Sequence, residues 1–280
     1  MTMINGAETK ILVTGATDGL GKRVAQELAA KGATVLLHGR SSGRLEATLE
    51  ELRKETGSEK LGSYLAALSS LGEVRGLAEQ VLSEQDRLDV LIINAGIIAQ
   101  EREESEDGHE LTFAVNYLSH FLLTGLLLPL LGDSSPSRIV NVASAGQSPM
   151  DFDDPMLERG YEAMRAYTRS KLAQVLFTFE LAGRLRGTGV TANALHPASL
   201  MDTKMVRDAI GCTMSTVEEG AEAVVRLAAS PEVEGVTGSY FDGTREARAN
   251  RQAYDEGARK RLWALSEELS GRLLEPIVRR

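Results

Sequence analysis

The feature that most restricts the fold of this chain is a regular alternation of short apolar runs with longer amphipathic segments. Seven runs of strand length follow one another, namely KILVTGA, ATVLLHGR, LGSYLAAL, LDVLIINAG, SRIVNVASAG, GVTANALHPA and VTGSYFDG. The segments between them have apolar residues at helical spacing. Continuous apolar strands are typical of parallel sheets, which are covered on both faces. The order therefore predicts an α/β fold with about seven parallel strands in a doubly wound sheet and helices on both faces.

No internal repeat, low-complexity run or Pro/Gly linker divides the chain. We therefore predict a single domain over residues 1–280, with its core over 8–245. Residues 246–280 are highly charged, but they contain apolar residues such as Leu262 and Trp263 at helical spacing. This pattern predicts a C-terminal helical extension that covers an edge of the core.

Charge, cysteine content and hydropathy exclude several classes of protein. Asp and Glu outnumber Lys and Arg by 40 to 31, whereas nucleic-acid binding needs clustered cations. A single cysteine rules out an intrachain disulfide and a thiolate metal cluster, and we predict no metal site. The N-terminus does not resemble a signal peptide, and the apolar run at 121–131 is too short to span a bilayer. These observations predict a cytoplasmic protein without a membrane span.

The first apolar run ends in a glycine-rich turn, TGATDGLG, which leads directly into an amphipathic helix. Gly15, Gly19 and Gly21 permit the positive φ angles of a tight turn and let backbone N–H groups approach a pyrophosphate. The partial positive charge at the helix N-terminus adds to this attraction. Because the turn lies between a strand and a helix, it predicts a dinucleotide-binding site in a Rossmann-type fold.

The stretch YEAMRAYTRSK contains two tyrosines, each followed four residues later by a basic residue. In a helix, Tyr161 would share a face with Arg165, and Tyr167 with Lys171. A cation beside a phenol favours the phenolate and would lower the tyrosine pKa from its ordinary value of about 10. Such a pair is compatible with acid–base catalysis in an oxidoreductase and also with a solvated surface helix.

Three features in this order resemble the short-chain dehydrogenase/reductase family: the spacing T-G-x-x-x-G-x-G, the sequence NAG at 94–96, and the pair formed by Tyr167 and Lys171. The resemblance covers residues 8–245. The long interval between Ser144 and Tyr167 resembles the insertion of the retinol-dehydrogenase-like and protochlorophyllide-reductase-like branch. The resemblance implies an NAD(P)-dependent oxidoreductase that interconverts a carbonyl and an alcohol on a small molecule.

The resemblance also implies four catalytic residues, which are Asn116, Ser144, Tyr167 and Lys171. Tyr167 would transfer the proton, while Lys171 would assist it and hold the nicotinamide ribose. Ser144 would donate a hydrogen bond to the substrate oxygen, and Asn116 would anchor a water molecule that relays protons.

Other residues compete for a place in this site. Ser148 lies close to Ser144 in sequence, but Ser144 follows a strand directly, where open α/β sheets bind their ligands. Tyr161 precedes an arginine, which is not the partner of the tyrosine in this family, so we expect Tyr161 at the substrate entrance. His196 ends a strand and is expected to make a structural hydrogen bond, because Tyr167 already supplies the proton.

In the resembling family, an acidic residue at the end of the second strand binds the ribose hydroxyls of NAD and repels the 2′-phosphate of NADP. This chain has Gly39 there, followed by Arg40 and Ser41. Because arginine offers a planar fork to a phosphate, we predict NADP(H) as the preferred cofactor and NAD(H) as the alternative. The other cofactor contacts that the resemblance implies are Thr14, Gly15, Asp18, Gly19, Leu20, Gly21, Asn94, Ala95, Gly96, Tyr167, Lys171, Pro197 and Thr203.

The chain departs from the family pattern around the cofactor. Asp18 stands where a basic residue is common, Ala67 stands where an aspartate is common, and Ala198 stands where a glycine follows the proline. Residues 199–217 are expected to form a mobile lid over the substrate.

Two alternative functions compete with this one. A non-catalytic dinucleotide sensor would have the same fold, but it would be expected to have lost Tyr167 or Lys171. A sugar-nucleotide epimerase or dehydratase would have another glycine spacing and a longer C-terminal domain. The resemblance also suggests a homo-oligomer, because related proteins pair through the helices that correspond to 121–131 and 161–185.

Overall fold

A computed structural model describes residues 9–273 and arranges them around one eight-stranded sheet. The strands are β1 Lys10–Val13, β2 Thr34–Gly39, β3 Leu61–Leu65, β4 Val90–Ile93, β5 Ser137–Val142, β6 Val190–His196, β7 Tyr240–Asp242 and β8 Arg245–Ala247. Their order in the sheet is β3-β2-β1-β4-β5-β6-β7-β8. Strands β1 to β7 are parallel, and β8 is antiparallel to β7.

The helices lie on both faces of the sheet, as the alternating pattern predicts. They are α1 Gly19–Ala30, α2 Ser42–Thr56, α3 Leu71–Glu84, α4 Leu111–Asp133, α5 Ala163–Arg184, α6 Lys204–Ile210, α7 Val217–Ala229 and α8 Glu256–Ser270. One core cluster joins the sheet to α1, α2 and α7, and the other joins it to α3, α4 and α5. Successive strand residues alternate between them: Leu12 packs in one cluster, whereas Ile11 and Val13 pack in the other.

The prediction of about seven parallel strands is right for β1 to β7 but misses β8. The sequence Arg245–Ala247 has no apolar run to mark it as a strand, and it pairs only along the edge formed by β7. Strand β8 spans residue 245, where the core was predicted to end, and the predicted domain bounds stay a prediction.

Strands β1 to β3 extend the sheet in one direction, and β4 to β7 extend it in the other. The carboxyl ends of β1 and β4 consequently diverge into loops that run to opposite sides. In doubly wound sheets this reversal of strand order creates a crevice in which ligands bind. The cleft lined by the candidate site residues lies there.

The apolar residues of α4 pack in the core of the domain. This helix is long and apolar enough to cross a membrane by length and composition, but 83% of its most apolar window is buried within the domain. It contains a π-helical turn at Ala114–Leu118. The absence of a membrane span stays a prediction.

The C-terminal extension, where it is described, packs against α4 and α5 through α8. The Trp263 ring lies 5.2 Å from Phe121 and 5.9 Å from Phe177 between ring centroids. The Tyr117 hydroxyl hydrogen bonds the Ser266 hydroxyl at 2.6 Å. Helix α8 therefore occupies part of the surface of α4 and α5 through which related proteins are expected to pair.

Candidate active site

A cleft of about 820 Å³ opens at the carboxyl ends of the central strands. The segment that contains α6 forms one of its walls. Most of the predicted site residues line this cleft: Gly15, Asp18, Gly19, Leu20, Gly21, Arg40, Asn94, Ala95, Gly96, Ser144, Tyr167, Lys171, Pro197 and Thr203. Three predicted site residues are not among the described residues that line the cleft: Thr14, Ser41 and Asn116.

The glycine turn between β1 and α1 leaves no room for side chains. Gly15 and Gly19 have φ angles of 65° and 49°, which other residues rarely adopt. A Cβ on Gly21 would lie 2.2 Å from the Gly15 oxygen and 2.4 Å from Asn94 Nδ2. The sequence did not reveal that His38 supports this turn, where the Gly15 N–H donates to its Nδ1 at 3.3 Å.

Thr14 lies beneath the cleft and fixes the loop after β4. Its hydroxyl oxygen accepts hydrogen bonds from the Asn94 N–H at 2.9 Å and the Ala95 N–H at 3.0 Å. In return, Asn94 Nδ2 donates to the Thr14 carbonyl at 2.9 Å. Thr14 is fully buried, and these hydrogen bonds hold the NAG sequence in place from beneath the cleft.

Two departures from the family pattern have local structural consequences. The Asp18 carboxylate accepts a hydrogen bond from the Gly19 N–H at 2.7 Å and caps the N-terminus of α1. At the other position, the Ala67 N–H donates to the Glu73 carboxylate at 2.7 Å. In each case, a carboxylate therefore accepts the hydrogen bond of a backbone N–H group at the border of the cleft.

Tyr167 and Lys171 lie on α5 and both face the cleft, one helical turn apart. Ser144, in the loop after β5, hydrogen bonds the Tyr167 phenol. Burial raises the pKa of Tyr167, and the bond from Ser144 opposes this shift. This direction is opposite to the lowered pKa expected from the neighbouring Lys171, which is not among the causes of the shift.

Lys171 is buried behind the tyrosine, with its Nζ 5.6 Å from the centroid of the phenol ring. The ammonium donates to the Val142 carbonyl and to Gln174 Oε1, both at 2.9 Å. Burial lowers the pKa of Lys171 to about 7. A lysine with this pKa can change its charge near neutral pH, beside a group that could transfer a proton.

Asn116 lies in the π-helical turn of α4 and has no exposed surface. Its Oδ1 accepts from the Ile97 N–H at 2.8 Å, and its Nδ2 donates to the Ile97 carbonyl at 3.0 Å and to the Ser170 hydroxyl at 2.9 Å. The side chain thus ties the loop after β4 to α5. Its predicted role as a water anchor stays a prediction.

The competing residues have hydrogen-bond partners other than Tyr167. Helix α5 begins at Ala163, so Tyr161 lies outside it, and its hydroxyl donates to the Ala99 carbonyl at 2.8 Å. Ser148 accepts a hydrogen bond from Thr168 at 2.8 Å. His196 lines the cleft, and its Nε2 is 3.0 Å from the Ser199 hydroxyl, in agreement with the expected structural hydrogen bond.

The loop that carries Ser144 is held by residues from the far end of the chain. The Tyr240 hydroxyl donates to the Ser144 carbonyl at 3.0 Å, and Gln147 Nε2 donates to the same carbonyl at 2.8 Å. Gln252 accepts from the Met150 N–H at 2.7 Å and donates to the Met150 carbonyl at 3.1 Å. Tyr240 and Gln252 lie about a hundred residues from their partners in this loop, and no local pattern marks them.

We expect Gln252→Ala to loosen the Ser144 loop, because the substitution removes both hydrogen bonds to Met150. The free energy of unfolding should fall by about 2 kcal/mol, roughly 1 kcal/mol for each bond. Urea unfolding measures this change. Gln80→Ala is the control, since that amide is exposed and donates to Glu84 on its own helix. Equal losses in the two variants would contradict this role of Gln252.

The sequence model of the family described as short chain dehydrogenase matches residues 9–210. The chain belongs to this family. As a short-chain dehydrogenase, it is an NAD(P)-dependent enzyme that acts on alcohol or carbonyl groups. The glycine turn, Ser144, Tyr167 and Lys171 all lie within the matched residues.

Similar proteins place this short-chain dehydrogenase near one branch of the family. Human retinol dehydrogenase 14 is 41% identical over 94% of this chain and 86% of its own length, and human retinol dehydrogenase 13 is 40% identical over 96% and 86%. A solved structure of an uncharacterised protein from Mycobacterium paratuberculosis has a TM-score of 0.81 at 32% identity, covering 96% of both chains. A short-chain dehydrogenase from Shigella flexneri 2a, complexed with NADP, has a TM-score of 0.71 at 26% identity, covering 86% of this chain and 98% of its own.

Proposed function

We propose that this short-chain dehydrogenase uses NADP(H) to interconvert an apolar alcohol and its carbonyl compound, with Tyr167 as the acid–base residue. The observation that carries the proposal is the meeting of Ser144, Tyr167 and Lys171 in one cleft with the glycine turn. A group that exchanges a proton, a hydroxyl that orients the substrate oxygen and a dinucleotide cradle together meet the needs of carbonyl reduction.

The residues present fit a dinucleotide. Gly15, Gly19 and Gly21 form a tight turn with no room for a Cβ at Gly21, and the N-terminus of α1 adds its partial positive charge. Arg40 would bind the adenosine end, and Lys171 the nicotinamide ribose. The cofactor, when bound, supplies the hydride for reduction or accepts it in oxidation.

Two side chains act on the substrate oxygen. The Ser144 hydroxyl would hold the carbonyl oxygen by a hydrogen bond while the Tyr167 phenol donates its proton to that oxygen. In the oxidative direction, the Tyr167 phenolate would take the proton back from the alcohol. The ammonium of Lys171 would stabilise the phenolate that remains after proton donation.

The substrate end of the cleft supports an apolar ligand. Its walls carry long apolar side chains, which are Ile98, Leu111, Val115, Met164, Leu200, Met201, Met205, Val206 and Ile210. Such walls favour a ligand that is apolar around its reacting oxygen. The names of the relatives point the same way, so we propose a retinol-like alcohol and its aldehyde as the first substrates to test.

The preference for NADP(H) rests on the end of β2. A Cβ on Gly39 would lie 2.7 Å from Thr17 Cγ2 and 3.2 Å from the Leu45 side chain, which disfavours an acidic residue there. Arg40, the next residue, is exposed at the edge of the cleft. Solved structures of relatives in complex with NADP or NADPH lend further support.

We expect Arg40→Ala to weaken NADPH binding by roughly tenfold to a hundredfold, the effect of losing charged hydrogen bonds to a phosphate. Binding of NADH, which has no 2′-phosphate, should change little. Fluorescence titration of both cofactors measures the two affinities. Arg53→Ala is the control, because Arg53 lies in the last turn of α2, the helix that follows Arg40, and is not among the described residues that line the cleft. Unchanged NADPH affinity in Arg40→Ala would refute the phosphate assignment.

The proposed activity is tested by turnover of NADPH and NADH with a panel of apolar aldehydes, ketones and alcohols. We expect turnover with NADPH to exceed turnover with NADH. Tight NADPH binding without turnover of any panel member would instead support the non-catalytic sensor.

A further inference from the structure

Helix α5 carries a stripe of buried polar side chains that extends beyond the catalytic pair into the core. Tyr167, Lys171, Gln174 and Thr178 follow one another at intervals of three or four residues and therefore lie on one face of the helix. Gln174 is 1% exposed and Thr178 has no exposed surface. The first two members face the cleft, whereas the last two belong to the interior between α5 and β5.

The stripe is linked by hydrogen bonds from the lysine to the sheet. Lys171 Nζ donates to Gln174 Oε1 at 2.9 Å. The Thr178 hydroxyl donates to the Gln174 carbonyl at 2.7 Å and accepts from Asn141 Nδ2 at 2.9 Å. Gln174 thus joins the ammonium to a buried network anchored on β5.

A buried glutamine is unusual at a position that serves only to pack the core. Its Nε2 has no hydrogen-bond partner among the described residues, although it is fully buried. A buried polar group without a partner lowers stability, and an apolar side chain of similar size would avoid this cost. Within residues 9–273, the one hydrogen bond of its side chain is the bond from Lys171, which suggests a function connected with the lysine.

We propose that Gln174 is a positioning residue, whose amide oxygen holds the Lys171 ammonium at the cleft in its charged form. Val142 offers a backbone carbonyl that any residue at that position would supply. Gln174 Oε1 is the acceptor that depends on side-chain identity. The proposal rests on the proposed function, in which Lys171 acts as a cation beside Tyr167.

The surroundings of Lys171 make its charge sensitive to this contact. Burial already lowers its pKa to about 7. The titratable groups that face it among the described residues are Tyr167 on α5 and His120 on α4. The pKa of His120 is lowered to about 3, so this imidazole stays neutral in an assay between pH 5 and 9 and would not mask a change at Lys171.

The test measures the pH dependence of NADPH-driven carbonyl reduction in Gln174→Met and Gln174→Glu. Without the amide oxygen, the ammonium loses an acceptor, so Gln174→Met should move the alkaline limb of the rate profile to lower pH by about one unit. A carboxylate favours the ammonium, so Gln174→Glu should move the limb to higher pH. A structural role alone would not shift the profile in opposite directions. Gln174→Asn, which keeps the amide but shortens its reach, replaces Gln174→Met if that variant does not fold.

Asn193→Ala is the matched control, because it removes a buried amide that bonds Val236 and Ser239 rather than the lysine. It should lower the melting temperature and leave the pH profile in place. Profiles that coincide with the parent's, or that shift in the same direction in Gln174→Met and Gln174→Glu, would overturn the proposal. The proposed function is judged separately, since it requires only that the parent enzyme reduce a carbonyl with NADPH.

Discussion

Tyr167→Phe is expected to reduce the rate of carbonyl reduction by about a thousandfold, because the substitution deletes the group that donates the proton. The ring remains and continues to fill its place between Ser144 and Lys171. NADPH affinity should therefore stay close to that of the parent. Single-turnover reduction followed by NADPH absorbance measures the rate, and a fluorescence titration measures the affinity.

Tyr161→Phe is the matched control for this experiment. It deletes a hydroxyl that donates to the Ala99 carbonyl, and it leaves the Tyr167 phenol untouched. We expect a small loss of stability and a rate within a few-fold of the parent. If Tyr167→Phe bound NADPH and reduced carbonyl substrates at the parent rate, the proposed acid–base role would be wrong.

Gly21→Ala should abolish high-affinity cofactor binding, with a loss of NADPH affinity of at least about a hundredfold. The new Cβ would overlap the Gly15 oxygen at 2.2 Å and Asn94 Nδ2 at 2.4 Å. A Cβ has no rotamer by which to escape, so the turn must open and the Asn94 contact must break. The free energy of unfolding should fall by about 1–3 kcal/mol, as for other overpacked sites. NADPH titration and urea unfolding measure the two effects.

Gly43→Ala provides the comparison, because it makes the same chemical change near the start of α2 without a steric conflict. Nothing lies within 4 Å of a Cβ at Gly43, and alanine favours the helix. Stability should therefore rise slightly, and NADPH affinity should not change. Intact cofactor binding in Gly21→Ala would show that the turn does not hold the dinucleotide as proposed.

Local patterns were sufficient to predict the parallel sheet and the glycine turn. Helical spacing likewise predicted that Tyr167 and Lys171 share one face, and both line the cleft. Helical spacing also places Gln174 on this face, one turn beyond Lys171. An amide within an apolar helix does not by itself indicate a function, however. Contacts such as that between Gln252 and Met150 depend on tertiary packing and could not be predicted from either segment alone.

The pKa of Tyr167 illustrates a different limit of sequence reasoning. The pattern of a tyrosine and a lysine four residues apart predicts a lowered pKa, because it includes the attraction of the cation but not the depth of burial. In the folded chain, burial raises the pKa of Tyr167 and lowers that of Lys171. Burial of both groups is a property of the whole α5 face and is not encoded in their spacing.

The aromatic cluster beneath α8 gives the enzyme an internal optical reporter. Trp263 is the single tryptophan of the chain, it is 4% exposed, and the Arg184 guanidinium lies 4.0 Å from its ring centroid. Its emission therefore originates entirely from the interface between α8 and the body of the domain. Undocking of α8 would transfer the indole to water and shift this emission to longer wavelength. Detachment of the C-terminal helix can thus be followed by intrinsic fluorescence in samples without NADPH, whose absorbance overlaps the emission of indole.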